Sequence, residues 1–309
     1  MNSWKYIFGP VPSRRLGLSL GVDIIPRKLC TLDCIYCEVG LTDKRGLARK
    51  EYVLTIDILA EVKEALKQYS HLDHITISGS GEPTLNSKIG EIIHGIKQLT
   101  QVSIAVLTNG TLLFLPDVRR DLLEADIVSP SLDAVTQEVF EAVDRPHPRL
   151  RIADIVEGLK LFRHEFHGQY WLEILFVRGM NDHDDEVQWM KEVIQHIQPD
   201  KVHINTVVRP PAEAFALPVS EQRMKEIQKI FGERCEIVGV FKEKHKTEER
   251  IVDTQAVLSL LKRRAMTIEG MISSLALQKQ ELFEALTDLE RQHLVKSYRF
   301  EGEQFYQAL

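Results

Sequence analysis

Three thiols stand close together near the start of the chain: Cys30, Cys34 and Cys37, at spacing C-x3-C-x2-C, in Cys30-Thr31-Leu32-Asp33-Cys34-Ile35-Tyr36-Cys37. Thiolates are soft ligands that select iron–sulfur clusters or zinc over hard cations. A closed cluster takes four cysteines, and the fourth one here, Cys235, lies far downstream. Three ligands leave one iron with no protein ligand and free to hold another group. Structural zinc also calls for four ligands, and no fourth Cys or His is near in sequence. The residues alone favour a cluster and leave zinc as the alternative.

Other segments carry groups suited to a bound small molecule. In Gly79-Ser80-Gly81-Glu82-Pro83, glycines let backbone approach a ligand closely and Glu82 brings a carboxylate; the same run also makes an ordinary turn. Asn109, Ser131 and Asp133 close two later apolar runs, and Glu173 lies within a third. Asn and Asp at such places also cap helices and turns. Arg178 and Arg209 suit a carboxylate or a phosphate. Cys235 reads as a small buried hydrophobe in a strand.

The elements that must position these groups follow from hydrophobic period. Strands are expected over 19–25, 74–78, 103–108, 127–132, 170–177 and 201–207, with a further one over 235–240. Helices are expected over 55–69, 87–99, 117–124, 136–143, 152–165, 184–197 and 220–231. The turn-rich stretch Phe8–Gly17 reads as irregular. Six strand–helix units over residues 18–232 imply an α/β fold with a parallel sheet, a partial (β/α)6 barrel. In such folds the chemistry gathers at the C-terminal ends of the strands. The cysteines, Gly79–Pro83, Asn109, Ser131, Asp133 and Arg209 all fall there. Residues 1–241 form this domain, 242–252 a charged linker, and 253–309 three helices and a hairpin that match a winged helix.

Composition sets the frame. The 309 residues, 44% hydrophobic and 27% charged, belong to a folded chain. No apolar run reaches the roughly 20 residues of a membrane span, and the N-terminus lacks a signal peptide's apolar core. A cytoplasmic, reducing location follows, where clustered cysteines act as metal ligands. The net charge of −6 is uneven: residues 1–50 hold nine Lys/Arg against four Asp/Glu. That basic excess beside the thiols suits an anionic ligand or substrate as well as a solvated surface.

The cysteine spacing with Tyr36 before its last member, placed after the first strand, resembles the signature of the radical S-adenosylmethionine (SAM) superfamily. Gly79–Pro83 resembles that family's glycine–glutamate–proline motif after the second strand. The resemblance implies a [4Fe–4S] cluster on Cys30, Cys34 and Cys37, with SAM chelating the open iron. It implies reductive cleavage of SAM to a 5′-deoxyadenosyl radical that abstracts hydrogen from a substrate. It places Tyr36 beside the adenine, Gly79, Gly81 and Glu82 at the SAM amino group, and Ser131 and Asp133 at the ribose, with Asn109 a further contact. An external one-electron donor such as flavodoxin or ferredoxin is implied as a partner.

Phe8–Gly17, the run Cys37-Glu38-Val39-Gly40 and Val208-Arg209-Pro210-Pro211 narrow the resemblance to prokaryotic relatives of the tRNA wyosine-base synthase. That synthase carries a second cluster on additional N-terminal cysteines, and no cysteine precedes Cys30 here. The substrate expected is a macromolecule, RNA or a protein or peptide. The last helix carries Lys279, Glu281, Glu284, Asp288, Glu290 and Arg291. Its net acidity argues against DNA and for a protein-docking module or a structural cap. The rival from another class is a non-enzymatic redox or iron sensor acting through the winged helix.

Overall fold

The structure, a computed structural model, describes residues 4–13, 15–42, 44–69, 71–238, 254–275 and 279–309. It begins with β1 (Ile7–Ser13) and β2 (Gly17–Val22), then a small parallel pair, β3 (Leu29–Cys30) and β4 (Lys44–Arg45). Six crossovers follow from β2. They run through α1 (Thr55–Gln68), β5 (His74–Ile77), α2 (Ile89–Leu99), β6 (Ser103–Thr108), α3 (Pro116–Leu122), β7 (Ile127–Pro130), α4 (Gln137–Val143) and α5 (Ile152–Glu165). They continue through β8 (Gln169–Phe176), α6 (Asp184–Ile197), β9 (Lys201–Thr206), α7 (Glu221–Phe231) and β10 (Cys235–Ile237).

One eight-stranded sheet results, in the order β1-β2-β5-β6-β7-β8-β9-β10. Every pairing is parallel except β1 with β2. Neighbours in chain order are neighbours in the sheet, as successive helical crossovers of one hand dictate. This is an α/β fold with a mostly parallel sheet, consistent with the expected partial barrel.

Strand side chains divide by their period of two. Ile75, Ile77, Ile104, Val106, Val128, Leu172, Ile174, Val202 and Ile204 share one core with Ile58, Val62, Ile92, Ile96, Leu122, Ile155 and Leu159 of the helices. The alternate residues face the other way, where Leu16, Ala105, Ile127 and Trp171 make a separate apolar cluster. The stretch expected to be irregular is a correction: most of it forms β1, paired along β2 with a register shift between Phe8 and Val11. β1 is an edge strand with one row of backbone groups unpaired in the sheet, so prolines that would break a central strand fit there.

The C-terminal residues form α8 (Thr254–Arg263), α9 (Ile268–Leu275), α10 (Lys279–Arg291) and an antiparallel hairpin of β11 (Val295–Phe300) and β12 (Glu303–Ala308). Val257, Leu261, Met271, Leu282, Leu286, Leu289 and Tyr306 make their core, and Val11 of β1 joins it. The linker expected over 242–252 lies outside the described residues. Among the described residues no helix is long and apolar enough to cross a membrane.

Candidate active site

The three cysteines follow β2 on the rim formed by the strands' C-terminal ends, and the Gly79–Pro83 turn lies against them. Lys28 N donates to Ser80 O (2.6 Å) and Glu82 N to Leu29 O (3.1 Å), so two backbone bonds fix the turn beside the strand that ends in Cys30. Gly81 is obligatory at this contact. A Cβ there would stand 2.0 Å from Leu29 O, a backbone atom that cannot swing aside. At Gly79 a Cβ would stand 2.2 Å from Asp23 Oδ1. Asp23 in turn accepts from Ser80 Oγ at 2.8 Å.

Glu82 is turned inward. Its Oε1 accepts from Thr84 N (3.0 Å), Thr84 Oγ1 (2.5 Å) and Thr108 Oγ1 (2.6 Å), and its Oε2 from Asn109 N (2.8 Å). Burial pushes its pKa up against these donors, which pull it down. The carboxylate expected at a ligand's ammonium group is also bonded into the rim, because β6 brings Thr108 and Asn109 to it. Asn109 passes the order on: its Nδ2 donates to Thr31 Oγ1 (2.8 Å) and approaches Cys30 Sγ (3.5 Å).

The far side of the cysteine loop is held by residues just after α4. Ile35 N donates to Val143 O (3.0 Å), Asp33 N to Asp144 O (3.0 Å) and His147 N to Thr31 O (2.9 Å). The loop's other edge is tied by Glu213 N to Ile35 O (2.9 Å) and by Arg209 Nη1 to both oxygens of Glu38 (2.9 and 2.8 Å). Arg209, a candidate for an anionic ligand, is thus committed to the loop; Arg178 is exposed. Tyr36 Oη donates to Asp133 Oδ2, and Leu175 N donates to Asp133 Oδ1 at 2.6 Å. Burial raises the Asp133 pKa to about 7.

Below the rim, residues of four strands form one row by register: Ser131 opposite Glu173, Glu173 opposite His203, and His203 opposite Glu236. Arg15, from the β1–β2 turn, closes on Glu173 at 2.5 Å. Ser129 Oγ, Trp171 Nε1 and His203 Nδ1 are buried without a partner among the described residues. Of the candidate set, Asn109 and Glu82 are thus bonded to each other beside Cys30, Tyr36 is bonded to Asp133, and Ser131 stands in the row with Glu173. Arg15, Thr31, Thr108, Asp144 and His203 escaped sequence reasoning. Only the Arg14–Arg15 pair in a turn-rich segment gave any signal.

Among the described residues no group of three or more His, Cys, Asp or Glu side chains is already placed to hold a metal ion. Burial pushes the Cys30 thiol up to about 12, with Glu82 adding to it, and raises Cys34 and Cys37 too. Thiolates here require a cationic centre to offset that cost. The buried Asp144 Oδ1 beside Cys34 lacks a partner as well. Cys235, by contrast, is 3% exposed in β10, an inert packing residue as expected.

Comparison with known proteins agrees with this geometry. Residues 24–188 match the family described as the radical SAM superfamily. A GTPase Obg of Brachyspira hyodysenteriae is 35% identical over 92% of this chain, which spans 42% of that protein's length. A UPF0026 protein of Methanocaldococcus jannaschii is 30% identical over 97% of this chain and 94% of its own. Among solved structures, a radical SAM methyltransferase from Sphaerobacter thermophilus superposes with a TM-score of 0.53 at 19% identity, covering 72% of this chain and 66% of its own. That likeness is one of fold. The chain belongs to the radical SAM superfamily, and so is an enzyme whose cofactors are a [4Fe–4S] cluster and SAM.

Proposed function

We propose that Cys30, Cys34 and Cys37 hold the cluster and that Tyr36, Gly79, Gly81, Asn109 and Ser131 line the SAM site. Glu82 and Asp133 keep those residues in place from behind. One observation carries the reading: the Gly79–Pro83 turn is bonded to the strand of Cys30, and Asn109 donates its backbone N–H to Glu82 and its side-chain Nδ2 to the Cys30 thiol. When bound, the cluster supplies one electron to the SAM sulfonium and thereby a 5′-deoxyadenosyl radical that takes hydrogen from substrate. The chain's own residues bind, orient and exclude water: Gly81 presents bare backbone, Tyr36 is fixed by Asp133, and the row of Ser131, Glu173 and His203 forms a polar floor. An external one-electron donor such as flavodoxin or ferredoxin completes the system.

Residues 1–241 act as the catalytic domain and 253–309 as an appended, winged-helix-like one. For the substrate, a protein or peptide is favoured over RNA. α10 carries exposed Glu284 and Asp288 and half-buried Glu281 and Glu290 against exposed Lys279 and Arg291, and the hairpin tip exposes Glu301 and Glu303. RNA would meet like charge there. Anaerobic reconstitution with iron and sulfide, then SAM and dithionite, tests the reading. Wild-type protein should release 5′-deoxyadenosine and Cys34→Ala none; absence of product from a wild type with a full cluster overturns it. Retention of RNA on a filter at low salt, lost steeply as salt rises, would replace the peptide by RNA.

A further inference from the structure

The C-terminal helices and hairpin do not stand apart from the rim. Phe300, the last residue of β11, packs against the buried cluster of Ile35, Val143, Val177, Val207 and Ala216, and Tyr36 packs against the same cluster. Ile35 and Tyr36 belong to the cysteine loop, and Val177 and Val207 lie just beyond the C-terminal ends of β8 and β9. Its ring is met edge-on by Phe305 of β12, with centroids 6.2 Å apart and planes at 75°. The tight turn that follows holds Glu301 and Gly302 at positive φ, so the hairpin reverses sharply where it reaches the barrel. Leu260 and Arg264 of the α8 region line a cleft of about 180 Å³ together with Glu38, Val39, Gly79 and Ser80. α8 and α9 also rest on β1.

We infer that the C-terminal unit is the roof of the radical site and that Phe300 is a positioning residue, holding Tyr36 from above while Asp133 holds it from below. The inference rests on the proposed SAM site and deepens it. Tyr36 has two anchors: its hydroxyl is bonded to Asp133 in the barrel, and its ring packs against the apolar cluster on which Phe300 also rests. A hydroxyl bond fixes one end of a phenol, leaving the ring to pivot; an apolar cap removes that freedom and excludes water. The cleft between the unit and the rim on the Glu38 and Gly79 side is smaller than the roughly 300–1,000 Å³ of ordinary ligand sites. A substrate larger than a few atoms that enters by this cleft therefore requires the roof to lift.

The test uses the full-length, anaerobically reconstituted protein with SAM itself as probe. Phe300→Ala should weaken SAM binding about fivefold by equilibrium dialysis, the order expected for loss of one aromatic contact. Phe300→Leu, which keeps an apolar cap, should restore most of it. Iron and sulfide content and melting temperature show that both variants keep the cluster and the fold. A photo-reactive benzoylphenylalanine at position 300 should cross-link to peptides containing residues 35–36, 177–180 or 207–216. SAM binding by Phe300→Ala equal to wild type, or cross-links confined to the C-terminal residues, overturns the inference. Failure of the proposed SAM site looks different: wild-type protein would itself not bind SAM.

Discussion

At the residue scale the rim depends on a few buried or close-packed groups. Glu82 receives four donors on two oxygens. An amide in its place would turn an NH2 toward at least one of them. Glu82→Gln should cost about 1–3 kcal/mol of stability, seen as a lower urea midpoint, with Asn109 released from Cys30. Gly81→Ala should abolish cluster incorporation, measured as iron and sulfide per chain, because its Cβ overlaps Leu29 O. His203 gives a pH signature. Burial, then Arg15, lowers its pKa from the usual 6.5 to about 4. Between those values the unfolded chain binds a proton that the folded chain does not, so stability is present at neutral pH and falls as pH drops from about 6.5 toward 4. The slope from this one group is at most about 1.4 kcal/mol per pH unit. His203→Gln should flatten the acid limb of stability against pH by that share; an unchanged limb would place the titration elsewhere. The cysteine spacing and Gly79–Pro83 were legible because each is local. Arg15 and His203 were not, since Arg15 meets Glu173 across 158 residues of chain and nothing near either marks the encounter.

At the scale of elements, legibility followed the period. The six crossovers from β2 to α7 could be read because buried parallel strands and amphipathic helices write different repeats. β1 could not, because Gly9, Pro10 and Pro12 signal a turn locally, while its place at a sheet edge removes the need for the backbone donors that proline lacks. The loops that build the site were equally hidden, since elements distant in sequence hold them. The clearest case is the segment after β7. Glu186 of α6, 2% exposed, accepts Val135 N (2.6 Å) and Thr136 N (3.1 Å) on one oxygen and Thr136 Oγ1 (2.9 Å) on the other. Asn181 Nδ2 adds a bond to Asp133 O at 2.8 Å. One helix start thereby fixes the start of α4 and, through it, the carboxylate under Tyr36. Glu186→Ala leaves two half-buried N–H groups without their acceptor and should lower stability by about 1–3 kcal/mol. It should also raise hydrogen exchange over 133–137 while the strands β5 and β6 keep their protection. Uniform loss across the sheet would mean that Glu186 serves the whole core and not this loop.

At the scale of the molecule the question is how a barrel and its C-terminal unit act together. Two contacts join them from opposite sides of the rim. Phe300 meets the cysteine loop and the ends of β8 and β9, and Val11 of β1 is buried among Val257, Leu258, Leu261 and Met271. β1 is therefore shared: its pairing belongs to the sheet and its Val11 side chain to the other core. That arrangement explains why a Gly- and Pro-rich edge strand stays ordered, since α8 and α9 cover it, and it hides an edge otherwise open to pairing with another chain. Val11→Asp separates the two roles. A carboxylate at this buried, apolar position carries a desolvation cost of several kcal/mol unless the surfaces part, and parting exposes it to water without breaking a strand pairing. The expected result is faster amide exchange throughout α8, α9 and the β11–β12 hairpin, with β5 to β9 unchanged and the cluster still assembled. SAM binding should weaken as it does in Phe300→Ala, although Val11 touches neither Tyr36 nor the cysteines. Collapse of sheet protection together with the C-terminal residues would show instead that the unit is part of the barrel's own core, and that no roof exists to be lifted.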